Sequence, residues 1–415
     1  MEYDGYSLYF TANSSRAQLA VASVDGDAYA PADWWGGKTC TDWGRTQVVL
    51  NNSINAAGGP GQVVQYAHGV TAVNGAYQGG VLTSNGRIYL IPYNQSNQTN
   101  WHYIDTNTGN VVAYAHSTGI SVAGAYNCGC LAPNGNIYMA PFFQSNSSPW
   151  HYINSGTGAV GTYTNGSGVT YNAYSSCVTA PDGKVWMIPY FWSENQPNWH
   201  YINTTNNTIV PYSAPSAVSG AYFGGVLASN GNIYMIPQGQ ATQSTWHYIR
   251  TSDNSIQSYT GPVLSASAYT GGVLAPNGKI FLIPTTQATQ TTWHYIDSTT
   301  NSVGTYTAPA LVNNAYQGGI LAPNGRIYMA PLSQATQSTW HYIDTNTTQP
   351  TVVGYTHGMS GLNVFAYLGG ILAPNGRIYL IPYGQGNNSN WHYIDTQVDK
   401  PLPIGVCTNP MFNKF

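Results

Sequence analysis

Charge is what this sequence has least of. Only 6% of its 415 residues are Asp, Glu, Lys or Arg, and the formal net charge is −3, against about a quarter charged in an ordinary globular chain. The 11 Lys and Arg are scattered, so there is no basic footprint for a phosphate backbone or an anionic lipid surface, and nucleic acid is not expected as a partner. No apolar run approaches the ~18 residues of a membrane span, so no membrane insertion is expected. The opening Met1-Glu2-Tyr3-Asp4 carries no basic region followed by an apolar stretch, and no export leader is expected. Glutamate is nearly missing, with Glu2 and Glu194 alone. Asp105, Asp297, Asp344 and Asp395 recur at one repeated turn position, and the irregular acids Asp182, Glu194 and Asp253 lie far apart in sequence. The pair of neighbouring carboxylates that sugar hydrolysis needs therefore has no candidates. With no Gly-x-Ser-x-Gly elbow, phosphate loop or Cys/His metal spacing, no enzyme, cofactor or metal is expected. Five cysteines are too few for a disulfide framework. Cys128, Cys130 and Cys177 read as small buried hydrophobes, and Cys40 and Cys407 as a pair able to bridge the two ends.

What the sequence has in abundance is a repeat. Seven copies of Trp-His-Tyr-Ile begin at Trp101, Trp150, Trp199, Trp246, Trp293, Trp340 and Trp391, 47 to 51 residues apart. A tyrosine stands 24 or 25 residues before each: Tyr77, Tyr126, Tyr174, Tyr222, Tyr269, Tyr316 and Tyr367. Each unit holds four short apolar runs separated by turn residues, the pattern of a four-stranded antiparallel meander. Strand A is the Gly-Gly-Val-Leu run and strand B the Arg-Ile-Tyr-Leu-Ile run, joined by Pro-Asn-Gly or a close variant, whose proline and glycine suit a tight hairpin. Strand C is Trp-His-Tyr-Ile. Strand D carries Tyr114, Tyr163, Tyr212, Tyr259, Tyr306 or Tyr355, and no such copy follows Trp391. The missing one stands at the other end, in Gln62-Val63-Val64-Gln65-Tyr66.

This displaced strand predicts ring closure: residues 62 to 66 complete the last blade and remove the exposed edges of an open array. The fold class is all-β, a seven-bladed β-propeller over residues 61–396, with a non-repeating N-terminal extension (1–60) and a C-terminal tail (397–415). In the extension, Tyr6 to Phe10 and Gln18 to Ala22 read as strands. The blades resemble kelch-type repeats in Asn324-Gly325-Arg326-Ile327-Tyr328-Met329 and the later Tyr342-Ile343-Asp344-Thr345. They depart from that pattern after the Ile-Tyr strand, where Ile-Pro or Ala-Pro replaces a glycine doublet. The resemblance implies architecture and assigns no chemistry.

The seven Trp-His-Tyr-Ile histidines lie in separate blades and are expected to pack or hydrogen-bond rather than bind metal. His68, His116 and His357 receive no role. Arg87, Arg326 and Arg377 share one repeat position and do not form a cluster. What varies is the B–C connection. Its candidate ligand-binding residues are Phe142, Phe143, Tyr190, Phe191, Trp192, Glu194, Gln240, Gln243, Gln287, Gln290, Gln334 and Gln337. Neutral amides beside aromatic rings are what neutral glycans bind through. The expectation is a non-enzymatic structural protein of a virion surface or phage tail, serving assembly and host-glycan attachment. Residues 1–60 would contact other virion proteins. The alternative is an extracellular or cellular interaction scaffold or lectin.

Overall fold

The computed structural model describes residues 2–3, 7–10, 19–22, 61–144, 149–163, 169, 172–190, 198–213, 215 and 217–396. Seven four-stranded antiparallel sheets follow one another around a ring, each ordered A-B-C-D. Blade 1 shows the plan: A is Tyr77–Leu82, B Arg87–Pro92, C Asn100–Asp105 and D Val111–Ala115. The A strands of blades 2 to 7 begin at the tyrosines 126, 174, 222, 269, 316 and 367. Each A strand touches the A strands on either side, so strand A lines the axis. Blade 7 (A Tyr367–Leu372, B Arg377–Pro382, C Asn390–Asp395) takes its D strand from Gln62–Ala67. The register runs from Asn390 opposite Ala67 to Asp395 opposite Gln62, the closure read from the sequence.

The sequence builds this ring through three local devices. The A–B hairpins are three-residue loops in which Gly86 N–H donates to Thr83 O and Thr83 N–H to Arg87 O, with Gly86 at φ +77°. That left-handed position explains the glycine of Pro-Asn-Gly. At the axis, backbones approach so closely that a Cβ on Gly271 would lie 3.0 Å from the Gly318 Cα. Strand B is covered on both faces, so Ile88, Tyr89, Leu90 and Ile91 have no exposed surface, and the run is continuously apolar rather than alternating.

Between blades, the tryptophan of strand C meets the edge of the next blade's A-strand tyrosine: Trp150 on Tyr174, Trp199 on Tyr222 and, across the closure, Trp391 on Tyr77. The B–C and D–A loops share one face, here the upper face, because Gln95 of the first B–C loop accepts from Val73 N–H of the preceding D–A loop. The lower face carries the A–B and C–D turns. There Asn85 Nδ2 donates to Ser155 O and Asn375 Nδ2 to Thr106 O, clasping each blade to the next.

The extension contributes Glu2–Tyr3, Ser7–Phe10 and Leu19–Ala22, a three-stranded antiparallel sheet; the first of these strands was not anticipated. Cys40, Cys407 and the tail lie outside the described residues. No helix among the described residues is long and apolar enough to cross a membrane.

Candidate functional site

In each blade the strand-C histidine is buried and shares a hydrogen bond through Nδ1 with the strand-A tyrosine hydroxyl. The pairs are Tyr77–His102, Tyr126–His151 (2.5 Å), Tyr174–His200 (2.5 Å), Tyr222–His247, Tyr269–His294, Tyr316–His341 (2.7 Å) and Tyr367–His392. Burial lowers every one of these imidazoles, to about 4 in His102, His151, His200 and His392. They are neutral braces within separate blades. His68, His116 and His357 stack on Trp391, Trp101 and Trp340, and their Nε2 atoms lie 2.5 Å from the carbonyls of Asn388, Gln98 and Gln337. They pin the ends of the B–C loops.

On the lower face, Arg87, Arg326 and Arg377 each lie over the strand-C tyrosine of their own blade, 4.5 to 4.7 Å from the ring centre. Arg326 and Arg377 also pair with Asp344 and Asp395. The six acids of the described blades (Asp105, Asp182, Asp253, Asp297, Asp344, Asp395) all stand at these lower-face turns, no two in one blade.

The B–C loop candidates separate into three groups. Gln240, Gln287 and Gln334 are a correction: they are only 3 to 6% exposed and committed to backbone. Gln240 Oε1 accepts from Val218 N–H, and its Nε2 donates to Thr245 O; Gln287 and Gln334 donate likewise to Thr292 O and Thr339 O. A loop carrying unpaired peptide groups needs such amides to close, so these glutamines are structural. The same position holds the buried Gln95, Gln144 and Gln385 in other blades. Gln243, Gln290 and Gln337 are exposed, each leaning on a neighbouring threonine hydroxyl. Their loops form short 3-10 turns, at Gly239–Thr242, Thr286–Thr289 and Ser333–Thr336, and lead outward to strand C. Phe191, Trp192 and Glu194 lie outside the described residues.

Phe142, Phe143 and Tyr190 do come together, in a larger feature. The residue after the strand-B proline is aromatic in four consecutive blades: Tyr383, Tyr93, Phe142 and Tyr190. Their half-buried rings form an arc with centroid spacings of 5.9, 6.3 and 6.2 Å, extended 5.8 Å further to Phe223 in strand A of blade 4. Each tyrosine reaches over the next blade's D–A turn. Tyr93 packs at Gly124 and Tyr383 at Gly75, glycines at φ +72° and +67° that leave room for a ring where a Cβ would intrude. Burial raises the Tyr93 phenol to about 12 and shifts Tyr190 and Tyr383 upward, so all three remain protonated donors at neutral pH.

The second residue of strand A borders this arc, as the 2.8 Å contact of Thr270 Oγ1 with Thr285 Oγ1 shows for blade 5. At that position stand Gln78, Asn127 and Gln317. Asn127 is 4% exposed, and neither its Oδ1 nor its Nδ2 has a partner among the described residues. Tyr93, Tyr383 and Phe223 are functional candidates that reading one loop at a time misses. Aligning the seven units would have found them. A separate cleft of about 820 Å³ opens at the outer rim between the D strands of blades 5 and 6, where the blades splay apart.

No protein-family model matches this sequence, and no curated protein is similar to it in sequence. Similar solved structures include a catalytically inactive virginiamycin B lyase from Staphylococcus aureus, crystallised with quinupristin, at TM-score 0.60 and 14% identity, covering 80% of this chain and 99% of that one. The extracellular domain of a two-component system from B. thetaiotaomicron is similar at TM-score 0.56 and 10% identity, over 81% of this chain and 42% of that one. A fungal alcohol oxidase in complex with copper is similar at TM-score 0.56 and 14% identity, over 83% and 79%. At such identities the likeness shows the fold alone, and these neighbours include both enzymes and non-enzymes. The chain is a seven-bladed β-propeller closed by its own N-terminal strand.

Proposed function

We propose that this protein is a non-catalytic recognition propeller that takes a neutral glycan at the upper mouth of its axis, displayed on a virus particle or as an extracellular protein. The observation that carries the reading is the arc of five rings from Tyr383 to Phe223, with the half-buried amide of Gln78 at the strand-A position beside it. Sugar rings stack on aromatic faces while amides and phenols meet their hydroxyls, and an uncharged surface suits an uncharged ligand. The non-catalytic half is supported by the acids, since all six in the described blades lie on the opposite face. The particle location rests on the uncharged, Asn-, Thr- and Tyr-rich β composition.

A glycan array followed by calorimetry tests the proposal. Wild type should bind a neutral glycan, and Tyr93→Ala or Phe142→Ala should weaken it by roughly tenfold, the worth of about 1.4 kcal/mol of stacking. Absence of binding by wild type, or binding indifferent to both changes, would overturn it. A second reading has one observation in its favour: Val263, Val312, Val364 and Phe365 are exposed on the D–A loops of the same face. A protein partner seated there would be lost on Val263→Asp and Val364→Asp but not on the ring substitutions. Mass spectrometry of purified particles tests the location.

A further inference from the structure

All three cysteines among the described residues meet at one seam of the ring. Cys128 and Cys130 lie two apart on strand A of blade 2 (Tyr126–Leu131), and so on one face of it; Cys177 lies on strand A of blade 3 (Tyr174–Thr179). Their sulfurs are all within 4.8 Å of one another, with Cys128 and Cys177 Sγ 3.4 Å apart. The Ser176 hydroxyl lies 3.5 Å from the Cys128 sulfur.

The repeat shows that this seam departs from the others. Cys128 stands where blades 1, 4, 5, 6 and 7 have glycine, Cys130 where they have valine or isoleucine, and Cys177 where they have a second glycine. At that second position an added Cβ meets the preceding blade's strand-B isoleucine: Gly80 would strike Ile381, Gly225 Ile188 and Gly272 Ile236, each under 3.0 Å. Blade 2 has Ala140 in place of that isoleucine, a buried small residue that leaves room for the Cys177 side chain. Filling the space with apolar groups needed none of these exchanges: isoleucine against glycine closes five of the other seams, and at the sixth Ala330 stands in that place with Gly370 opposite and no cysteine.

We propose that Cys128, Cys130 and Cys177 form a binding site for one soft, thiophilic metal ion of the Cu(I) or Zn(II) class. Three sulfurs held about 2.3 Å from one ion stand roughly 3.8 to 4.0 Å from each other, which the observed spacing brackets. Thiolates select such ions over hard cations. Cys128 and Cys130 are half-buried on the innermost strand, so the ion's path is the axial channel. The Cys128 thiol is pulled well below its ordinary range by hydrogen bonds from Cys130 and then Cys177, while burial pushes the other two up. Binding forms three metal–sulfur bonds and releases to water the protons that the thiols carry, with no change of oxidation state. A fourth ligand for Zn(II) would come from solvent.

The test uses full-length protein carrying Cys40→Ser and Cys407→Ser, fully reduced and metal-free, so that no other thiol competes. Titration with Cu(I) against a chromogenic chelator, and separately with Zn(II), should show one ion per chain and thiolate-to-metal charge-transfer absorption for Cu(I). Cys177→Gly and Cys130→Val restore the repeat's own residues, and Cys128→Ser is the near-isosteric third variant. Each should melt like the parent yet lose stoichiometric binding. The proposal is overturned if neither ion binds the parent, if the variants bind equally well, or if mass spectrometry finds Cys128 and Cys177 joined in a disulfide that survives reductant.

Discussion

A polar residue in a surface loop is easily taken for a ligand contact, and Gln240 shows why that inference fails. Its two backbone partners, Val218 and Thr245, sit 22 residues before it and 5 after it, and no local spacing announces the first of them. The legible signal was repetition: a glutamine recurring at one loop position as Gln95, Gln144, Gln240, Gln287, Gln334 and Gln385 serves the fold in six of the seven blades. Gln240→Ala removes the two hydrogen bonds to the Val218 N–H and the Thr245 carbonyl, and is expected to destabilise by about 1–3 kcal/mol in denaturant unfolding while glycan affinity stays unchanged. Phe142→Ala should show the reverse balance, its larger effect being on affinity. The Tyr–His braces have the same logic in the core. Tyr222→Phe strands the His247 Nδ1, and His247→Ala strands the Tyr222 hydroxyl, so the two changes made together should cost less than the sum of the single ones. A double-mutant cycle with no coupling would show that this buried contact contributes nothing.

The strands were legible element by element because turn residues punctuate every unit, and the glycines of the A–B hairpins fell where φ is positive. The 3-10 turns of the B–C loops were not. No side chain caps Gly239–Thr242 or its counterparts, so the sequence carries no start signal for them. The most informative element was the strand that appeared to be missing. Gln62–Ala67 pairs along its whole length with Asn390–Asp395, and Val63, 3% exposed, completes the core with Tyr328 and Ile394. A chain beginning at residue 61 should therefore keep a single cooperative melting transition. A chain beginning at residue 68 leaves strand C of blade 7 as a bare edge and is expected to lose that transition and to aggregate, as light scattering would register. Equal melting of the two chains would mean that the closure contributes little to stability.

At the scale of the whole molecule, repetition turns a small local effect into a large one. Each blade buries one neutral imidazole, with a folded value lowered to about 4 in His102, His151, His200 and His392 and shifted the same way in His247, His294 and His341. In the unfolded chain the same groups titrate near 6.5. Between these values the unfolded state binds more protons than the folded one, so stability is full above about pH 6.5 and falls as pH drops toward 4. Each imidazole contributes at most about 1.4 kcal/mol per pH unit in that window, less where it meets solvent. The carboxylates act elsewhere: Asp297, held below its ordinary range first by the Thr299 hydroxyl, loses its contribution only at lower pH. Unfolding followed by tryptophan fluorescence from pH 8 to 4.5 should show a plateau and then a steep loss, with several protons taken up per chain. Replacing one histidine, His294→Gln, should reduce that uptake, by one proton at most. A stability independent of pH across the same range would show that the histidines are charged in the folded ring, and would remove the neutral Tyr–His brace as its common fastening.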